Sequence, residues 1–293
     1  MKVTDHISKK NGPVISLEFS RPTSEKAGIN LDKALVKLEE LNPDYVSVTF
    51  GAGGSNHEGS IQLLEKLKDR HNFKTVAYIA AVGLSKEQLT KVLNQFKELN
   101  IKTVFAVRGD APTWDENYTP HPEAFNYASD LIEFINERYN FCIGAAGYPE
   151  NHIESNHVDN DIEVLKQKIK NGAEYIVAQY FYDNQYFFDF VAKCRNAGII
   201  VPIIPGIMPI YTEKLMNNLA KVCGTTITKK VKNDLAALPQ DDKKAIAKYG
   251  TNLALEQCRD LLKKGVDGLH FYTMNRANTV VSVINKLKEE GLL

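Results

Sequence analysis

Cysteine is scarce in this sequence, and neither sign of charge is in excess. The four cysteines, Cys142, Cys194, Cys223 and Cys258, lie far apart and form no CxxC pair, so the spacings of a zinc site or a disulfide framework are missing. They read as small buried apolar residues in a reducing compartment. Lys plus Arg and Asp plus Glu each number 36, for a formal charge of zero. Without a basic excess to neutralise a phosphate backbone, nucleic acid is not an expected partner. No run approaches the roughly 18 apolar residues of a membrane span, and the amino terminus, MKVTDHISKKNGP, lacks the apolar core of a signal peptide. A cytoplasmic protein is expected. The absence of GxxxxGK[ST] argues against a nucleoside triphosphatase.

What is present is the material of a sizeable core: 43% hydrophobic and 25% charged residues over 293 positions, enough for one large α/β barrel or two ordinary domains. Short β-branched runs alternate with longer segments of helical period, the mark of a parallel sheet covered by helices. Eight runs qualify as strands: PVISLEF (13–19), DYVSVTF (44–50), KTVAYIAA (74–81), KTVFAVR (102–108), FCIGAAGY (141–148), YIVAQYF (175–181), IVPIIPGI (200–207) and DGLHFY (267–272). Amphipathic stretches such as SKEQLTKVLNQFKEL and DIEVLKQKIKNG separate them, several closed by glycine. The one long interruption, about 212–266, itself reads as helices (MNNLAKVC, VKNDLAAL, NLALEQCRDLLKKG). The expected fold is a (β/α)8 TIM barrel with extra helices between strands seven and eight, residues 1–293 forming one catalytic domain. An open doubly wound sheet is the alternative.

In such a barrel the active site lies at the carboxyl ends of the strands. Those ends carry Glu18, Thr49 followed by GAGGS, Tyr78, Arg108-Gly109-Asp110, Tyr148-Pro149-Glu150 with His152 behind, Gln179, Pro205-Gly206, and Tyr272 with Asn275 and Arg276. A scaffold has no physical need for carboxylates and amides in or just after apolar strands, where each must be hydrogen-bonded to offset its burial. Structural readings stand beside the functional one. Glu18 could pair with a rim Arg or Lys, Asp110 could cap its loop, and Gln179 could satisfy a neighbouring carbonyl. His152 and His157 with Glu150 and Glu154 make a loose metal-like set without the spacing of a zinc helix, and no metal is expected.

Taken in order, SLEF, YVSVTFGAGGS, VFAVRGD, YASDL, AAGYPE, AQYFYD, IIPGIMP and HFYTMNR resemble the catalytic barrel of the methylenetetrahydrofolate reductase family over about residues 13–285. Each motif alone is weak, but eight in order at the ends of eight expected strands are specific. The resemblance implies FAD bound non-covalently at the barrel rim. It further implies reduction of 5,10-methylenetetrahydrofolate to 5-methyltetrahydrofolate in one-carbon metabolism and methionine synthesis, with NADH or NADPH and the folate using the flavin in turn, by ping-pong. Thr49, Tyr78, Arg108, Gly109, Asp110, Tyr127, Ala128 and Tyr148 would line the flavin, and His152, Asp161 and Lys168 would hold its ribose and phosphates. Asp161 and Lys168, seven apart, fall two turns along one helix face. Gln179, Tyr272 and Arg276 would bind the folate with Glu18 and Asp110. Glu18 would be the acid that protonates N10 and opens the five-membered ring, and a place at the end of an apolar strand suits that task. Asp110 would favour positive charge on the folate intermediate.

The chain departs from the family pattern mainly at donor and cofactor contacts. SLEFSRP puts Ser20 and Arg21 where an aromatic and a proline are common, and Tyr78 stands where a flavin-contacting histidine is frequent. Glu213 replaces an aromatic that packs on nicotinamide and folate in some members, and Val164 and Gln167 occupy two FAD-binding helix positions. The choice among NADH, NADPH and a protein electron donor therefore stays open, as do FAD against FMN and a homo-oligomer. No carboxy-terminal regulatory domain is expected, nor inhibition by S-adenosylmethionine. Two other functions compete: a proline dehydrogenase-like flavoenzyme, and a folate- or flavin-binding subunit that needs a partner electron donor.

Overall fold

The computed structural model of the chain describes residues 1–51, 57–110, 117–155, 158–239 and 242–293. Of the GAGGS run only Gly51 falls within them, and His157 lies outside. The strands are β1 (Val14–Phe19), β2 (Tyr45–Val48), β3 (Thr75–Ala80), β4 (Thr103–Val107), β5 (Cys142–Gly147), β6 (Tyr175–Ala178), β7 (Ile203–Ile204), β8 (Gly206–Ile207) and β9 (Gly268–Tyr272). All pairings are parallel, and the order β7-β6-β5-β4-β3-β2-β1-β9-β8 follows the chain around a ring. That order excludes the doubly wound alternative, whose strand order reverses at a switch point.

The ring closes in an unexpected way. The run 200–207 is not one long strand: β7 pairs with β6, β8 pairs with β9, and Pro205 sits between them. Proline has no N–H to give to a ladder. Its carbonyl instead accepts the His270 amide at 3.0 Å, so the two pieces serve as the single seventh strand.

The pleat sorts side chains by alternation. Ile15, Leu17, Phe19, Val46, Val48, Ala77, Ile79, Val104 and Ala106 face the helices in the main core. Val14, Tyr45, Val76, Phe105, Cys142, Tyr175, Val177 and Ile204 fill the barrel. The crossover helices are α2 (Glu25–Glu39), α3 (His57–His71), α4 (Lys86–Glu98), α5 (Ala128–Arg138), α6 (Val158–Lys170) and α7 (Asn184–Asn196), with α11 (Asn278–Glu289) after β9. Between β8 and β9 run α8 (Glu213–Cys223), α9 (Lys229–Ala236) and α10 (Lys243–Lys263), the extra helices expected there. Thr212, Thr228 and Asp242 cap their amino ends through side-chain oxygens. Among the described residues no helix is long and apolar enough to cross a membrane.

A short helix, α1 (Val3–Lys9), closes the amino-terminal end of the barrel. Its Val3 amide donates to Thr103 Oγ1, and Val3, with Met1 and Ile7, packs on the barrel interior. Asp44 ties this end together: it meets His6 Nε2 at 2.8 Å and accepts from Lys10 Nζ and the Ile15 amide at 2.6 Å each.

Candidate active site

Glu18 is the fifth residue of β1, and the alternation turns it into the barrel above Ser16. Its side chain is 16% exposed. Oε2 accepts a 2.6 Å hydrogen bond from the Tyr78 hydroxyl, which reaches it from β3 over the intervening β2. The same oxygen lies 3.6 Å from His270 Nε2. Among the described residues no Arg or Lys is ion-paired with Glu18, which removes the structural-carboxylate reading. Burial, and then the nearby Glu18 charge, push the Tyr78 phenol well above its ordinary value, so it remains a donor.

Thr49, Tyr78, Arg108, Gly109, Asp110, Tyr148, His152, Gln179 and Tyr272 join Glu18 around a cavity of about 360 Å³. Gly109 has φ +81°, and a Cβ there would lie 2.8 Å from Ala80 Cβ, so glycine is what lets the backbone pass at this wall. Gln179 accepts the Tyr180 amide at 3.0 Å through its side-chain oxygen; this bond uses only the carbonyl end and satisfies no neighbouring carbonyl. Asp110 is exposed, 3.9 Å from an Arg108 nitrogen.

A second cavity, of about 390 Å³, shares Val107, Arg108, Ala146, Tyr148 and His152 with the first and reaches Tyr127, Ala128, Asp161, Val164, Gln167 and Lys168. Lys168 is its electrostatic centre. Buried at 8% exposure, it donates to the Ala146 carbonyl at 2.9 Å and lies 5.7 Å from the Tyr148 ring centre. Burial lowers its pKa to about 8, with Asp161 acting the other way. A buried ammonium held by a neutral carbonyl is a group ready for an anion. His152 Nδ1 accepts the Glu154 amide at 3.2 Å, so the ring carries its proton on Nε2; burial first, then Arg108, lowers its pKa. Asp161 accepts the His152 amide at 2.8 Å and fixes the loop after β5 to α6.

Arg276 lines neither cavity. It is exposed, with its guanidinium 5.0 Å from the Tyr211 ring centre. The described members of the metal-like set are engaged elsewhere: Glu150 accepts the Thr226 amide, His152 binds as above, and Glu154 makes a two-pronged pair with Arg108. Cys142, Cys194 and Cys258 are buried, whereas Cys223 is half-buried. Sequence reasoning missed three residues at the acid: Tyr78 as its hydrogen-bond partner, His270 and Ser16. A signal existed for two of them. Ser16 and His270 lie two positions before Glu18 and Tyr272, and so on the same inward faces.

Fold and site define an α/β barrel whose rim carries an acid without a cationic partner beside an elongated, anion-accepting cavity. The family model "MTHFR: Methylenetetrahydrofolate reductase" matches residues 2–288. The chain is 35% identical over 299 residues to methylenetetrahydrofolate reductase 1 of Schizosaccharomyces pombe, covering 100% of this chain and 49% of the relative. It is 30% identical over 273 residues to 5,10-methylenetetrahydrofolate reductase of Escherichia coli, covering 93% of this chain and 90% of that protein. The chain belongs to the methylenetetrahydrofolate reductase family. It spans about half the length of the yeast and plant relatives it matches. A solved structure with TM-score 0.68 and 16% identity, covering 98% of both chains, shares the fold: "Uncharacterized protein from Clostridium thermocellum binds two copies of 5-methyl-5,6,7,8-tetrahydrofolic acid".

Proposed function

We propose that this chain reduces 5,10-methylenetetrahydrofolate to 5-methyltetrahydrofolate with a bound FAD, residues 1–293 acting as one catalytic barrel. The observation that carries the reading is Glu18: an acid held by a phenol rather than by a cation, at the wall of a cavity joined to a second one built around a buried lysine. The names of the relatives point to the same reaction, and the Clostridium thermocellum barrel is described as binding the product folate.

The residues present fit a flavin dinucleotide. Lys168 supplies a buried positive charge for phosphate, Asp161 and His152 flank it, and Gly109 gives a wall without a side chain. The second cavity's extension to Tyr127 and Val164 favours the dinucleotide over FMN. The chemistry it would supply is hydride transfer from a nicotinamide donor to the folate. Thr49, Tyr78, Arg108, Gly109, Asp110, Tyr127, Ala128 and Tyr148 would surround it. Gln179 and Tyr272 orient the folate in the inner cavity, and Arg276, poised on Tyr211 at the rim, meets its outer part.

Glu18 donates its proton to N10 of the folate. The N10–methylene bond then breaks and leaves an electrophilic iminium at N5. The Tyr78 hydroxyl stays on the carboxylate oxygen throughout, so Glu18 faces the substrate without having to find its rotamer. Asp110 stabilises the positive charge that develops on the folate.

The test is a visible spectrum of the purified protein under anaerobic conditions, first with NADH and then with methylenetetrahydrofolate. Flavin bands that bleach with NADH and return with the folate are the expected result. A flavin that only NADPH or a chemical reductant bleaches, but that the folate reoxidises, keeps the reductase and changes the donor. Failure of the folate to reoxidise reduced flavin, or no flavin bound even after FAD is added, overturns the reading.

A further inference from the structure

His270 lies beneath the acid and is 1% exposed. Its two ring nitrogens have different surroundings. Nδ1 is 2.8 Å from Ser16 Oγ, on the neighbouring strand. Nε2 is buried and has no hydrogen-bond partner among the described residues, and Glu18 Oε2 lies 3.6 Å from it. The Ser16 hydroxyl faces His270 Nδ1 at 2.8 Å and the Leu269 carbonyl at 3.4 Å, with the Tyr45 hydroxyl beside it. The carbonyl contact is long for an O–H···O bond, and the Tyr45 phenol is itself a donor, so the Ser16 hydroxyl donates to Nδ1. A neutral ring that accepts at Nδ1 carries its proton at Nε2. A buried N–H thus stops just short of the carboxyl group. An unpaired buried donor is destabilising and calls for a reason.

We propose that His270, fixed in its Nε2–H tautomer by Ser16, is a positioning residue that donates a hydrogen bond to Glu18 as the acid gives up its proton. The inference rests on Glu18 being the acid of the folate half-reaction. The proton passes from the Glu18 carboxyl to folate N10, the negative charge left behind draws Nε2–H into bonding distance, and no proton leaves His270. An interaction that tightens as charge develops accelerates the step, because it is stronger in the transition state than in the ground state.

The titratable groups facing the pair are Tyr45 on β2, Tyr78 on β3, Tyr272 on β9, Asp110 beyond β4 and Cys223 on α8. Burial pushes the three phenols and the Cys223 thiol upward, and Asp110 is exposed at the rim. These phenols and the thiol therefore keep their protons through the neutral range, and comparing variant with native protein at each pH isolates what His270 contributes.

The experiment follows flavin reduction by NADH and its reoxidation by methylenetetrahydrofolate separately, against pH. Compared with the native protein, His270→Phe is expected to keep the NADH step. The folate step should slow on its plateau by about ten- to a hundredfold, the size of one lost hydrogen bond to a charged group, with its alkaline limb about one pH unit higher. His270→Gln, which can place an amide N–H near the same point, recovers part of both changes. Ser16→Ala moves the limb in the same direction and serves if His270→Phe does not fold. The 15N signals of the His270 ring give a second reading without turnover: Nε2 is protonated in the resting protein and shifts in Glu18→Gln. An unmoved limb in both variants, or an Nδ1–H tautomer, overturns the proposal. A native protein whose reduced flavin the folate does not reoxidise overturns the proposed function itself, which is a different result.

Discussion

Glu18 and Lys168 show how single positions separate the two tasks of the site. Glu18 handles a proton that only the folate step needs. Glu18→Gln keeps the shape and the Tyr78 contact, so flavin reduction by NADH should stay within about twofold of native, while reoxidation by methylenetetrahydrofolate falls by about 10²–10⁴. Stopped-flow absorbance at the flavin band reads both, and equal loss in the two steps would remove Glu18 as the acid. Lys168 handles binding alone. Its pKa of about 8, set by burial, means that the ammonium is present below that pH and is lost above it. A bound phosphate favours the charged form, so flavin affinity should be level below about pH 8 and weaken as pH rises beyond it. Lys168→Met should cost about ten- to a hundredfold in flavin affinity and abolish that pH dependence. Fluorescence titration of flavin-stripped protein checks this, and a variant that keeps the pH dependence assigns it to another group.

At the scale of elements, the amino-terminal helix depends on one carboxylate. Burial, the largest influence on Asp44, raises its pKa, but the hydrogen bonds from Lys10, His6 and the Ile15 amide together outweigh it and hold the group below its ordinary value. A carboxylate whose folded value lies below its unfolded value of about 3.9 contributes stability that is full above pH 4 and lost as pH falls through the folded value. Asp44→Asn should therefore destabilise by about 1–3 kcal/mol near neutral pH and soften the acid limb of the melting profile. Thermal melts between pH 3 and 7 read both, and an acid limb identical to native would place the acid sensitivity elsewhere. Yet α1 itself was not legible in the sequence. VTDHISK has no apolar period, and its place comes from contacts with Thr103 and Asp44, far along the chain. The strands were legible because β-branched runs depend on local composition, and the residues closing them were legible as a rim because barrel geometry assigns them one. The seventh strand reads as continuous in the sequence, since apolar content does not reveal that the chain pairs with β6 before Pro205 and with β9 after it. The pairing of Glu18 with Tyr78 was hidden as well: the two are 60 residues apart and meet over the intervening strand β2, on the interior face of the sheet.

For the whole molecule, closure and ligand binding meet at the seam around Pro205. Two-residue strands pair on either side of it, and the chain there runs so close to its neighbours that a Cβ on Gly206 would fall 2.3 Å from the Ala178 carbonyl oxygen and 2.6 Å from the Tyr272 ring. Backbone on one side and a cavity-lining aromatic on the other leave no room for even a methyl group. Gly206→Ala must either open the seam or turn Tyr272, and overpacking of this kind costs about 1–3 kcal/mol. The melting temperature should fall by several degrees, as a change of that size does in a chain of this length. Because Tyr272 lines the inner cavity and Lys168 the outer one, folate affinity should drop by about tenfold with flavin affinity nearly unchanged. Gly28→Ala provides the contrast. Gly28 lies within α2, and a Cβ there meets only Pro22 at 3.9 Å, an ordinary contact. Replacing a helical glycine by alanine at such a site stabilises by about 0.5–1 kcal/mol, so its melting temperature should rise. If both variants melt and bind folate as the native chain does, the seam does not couple barrel closure to the folate cavity.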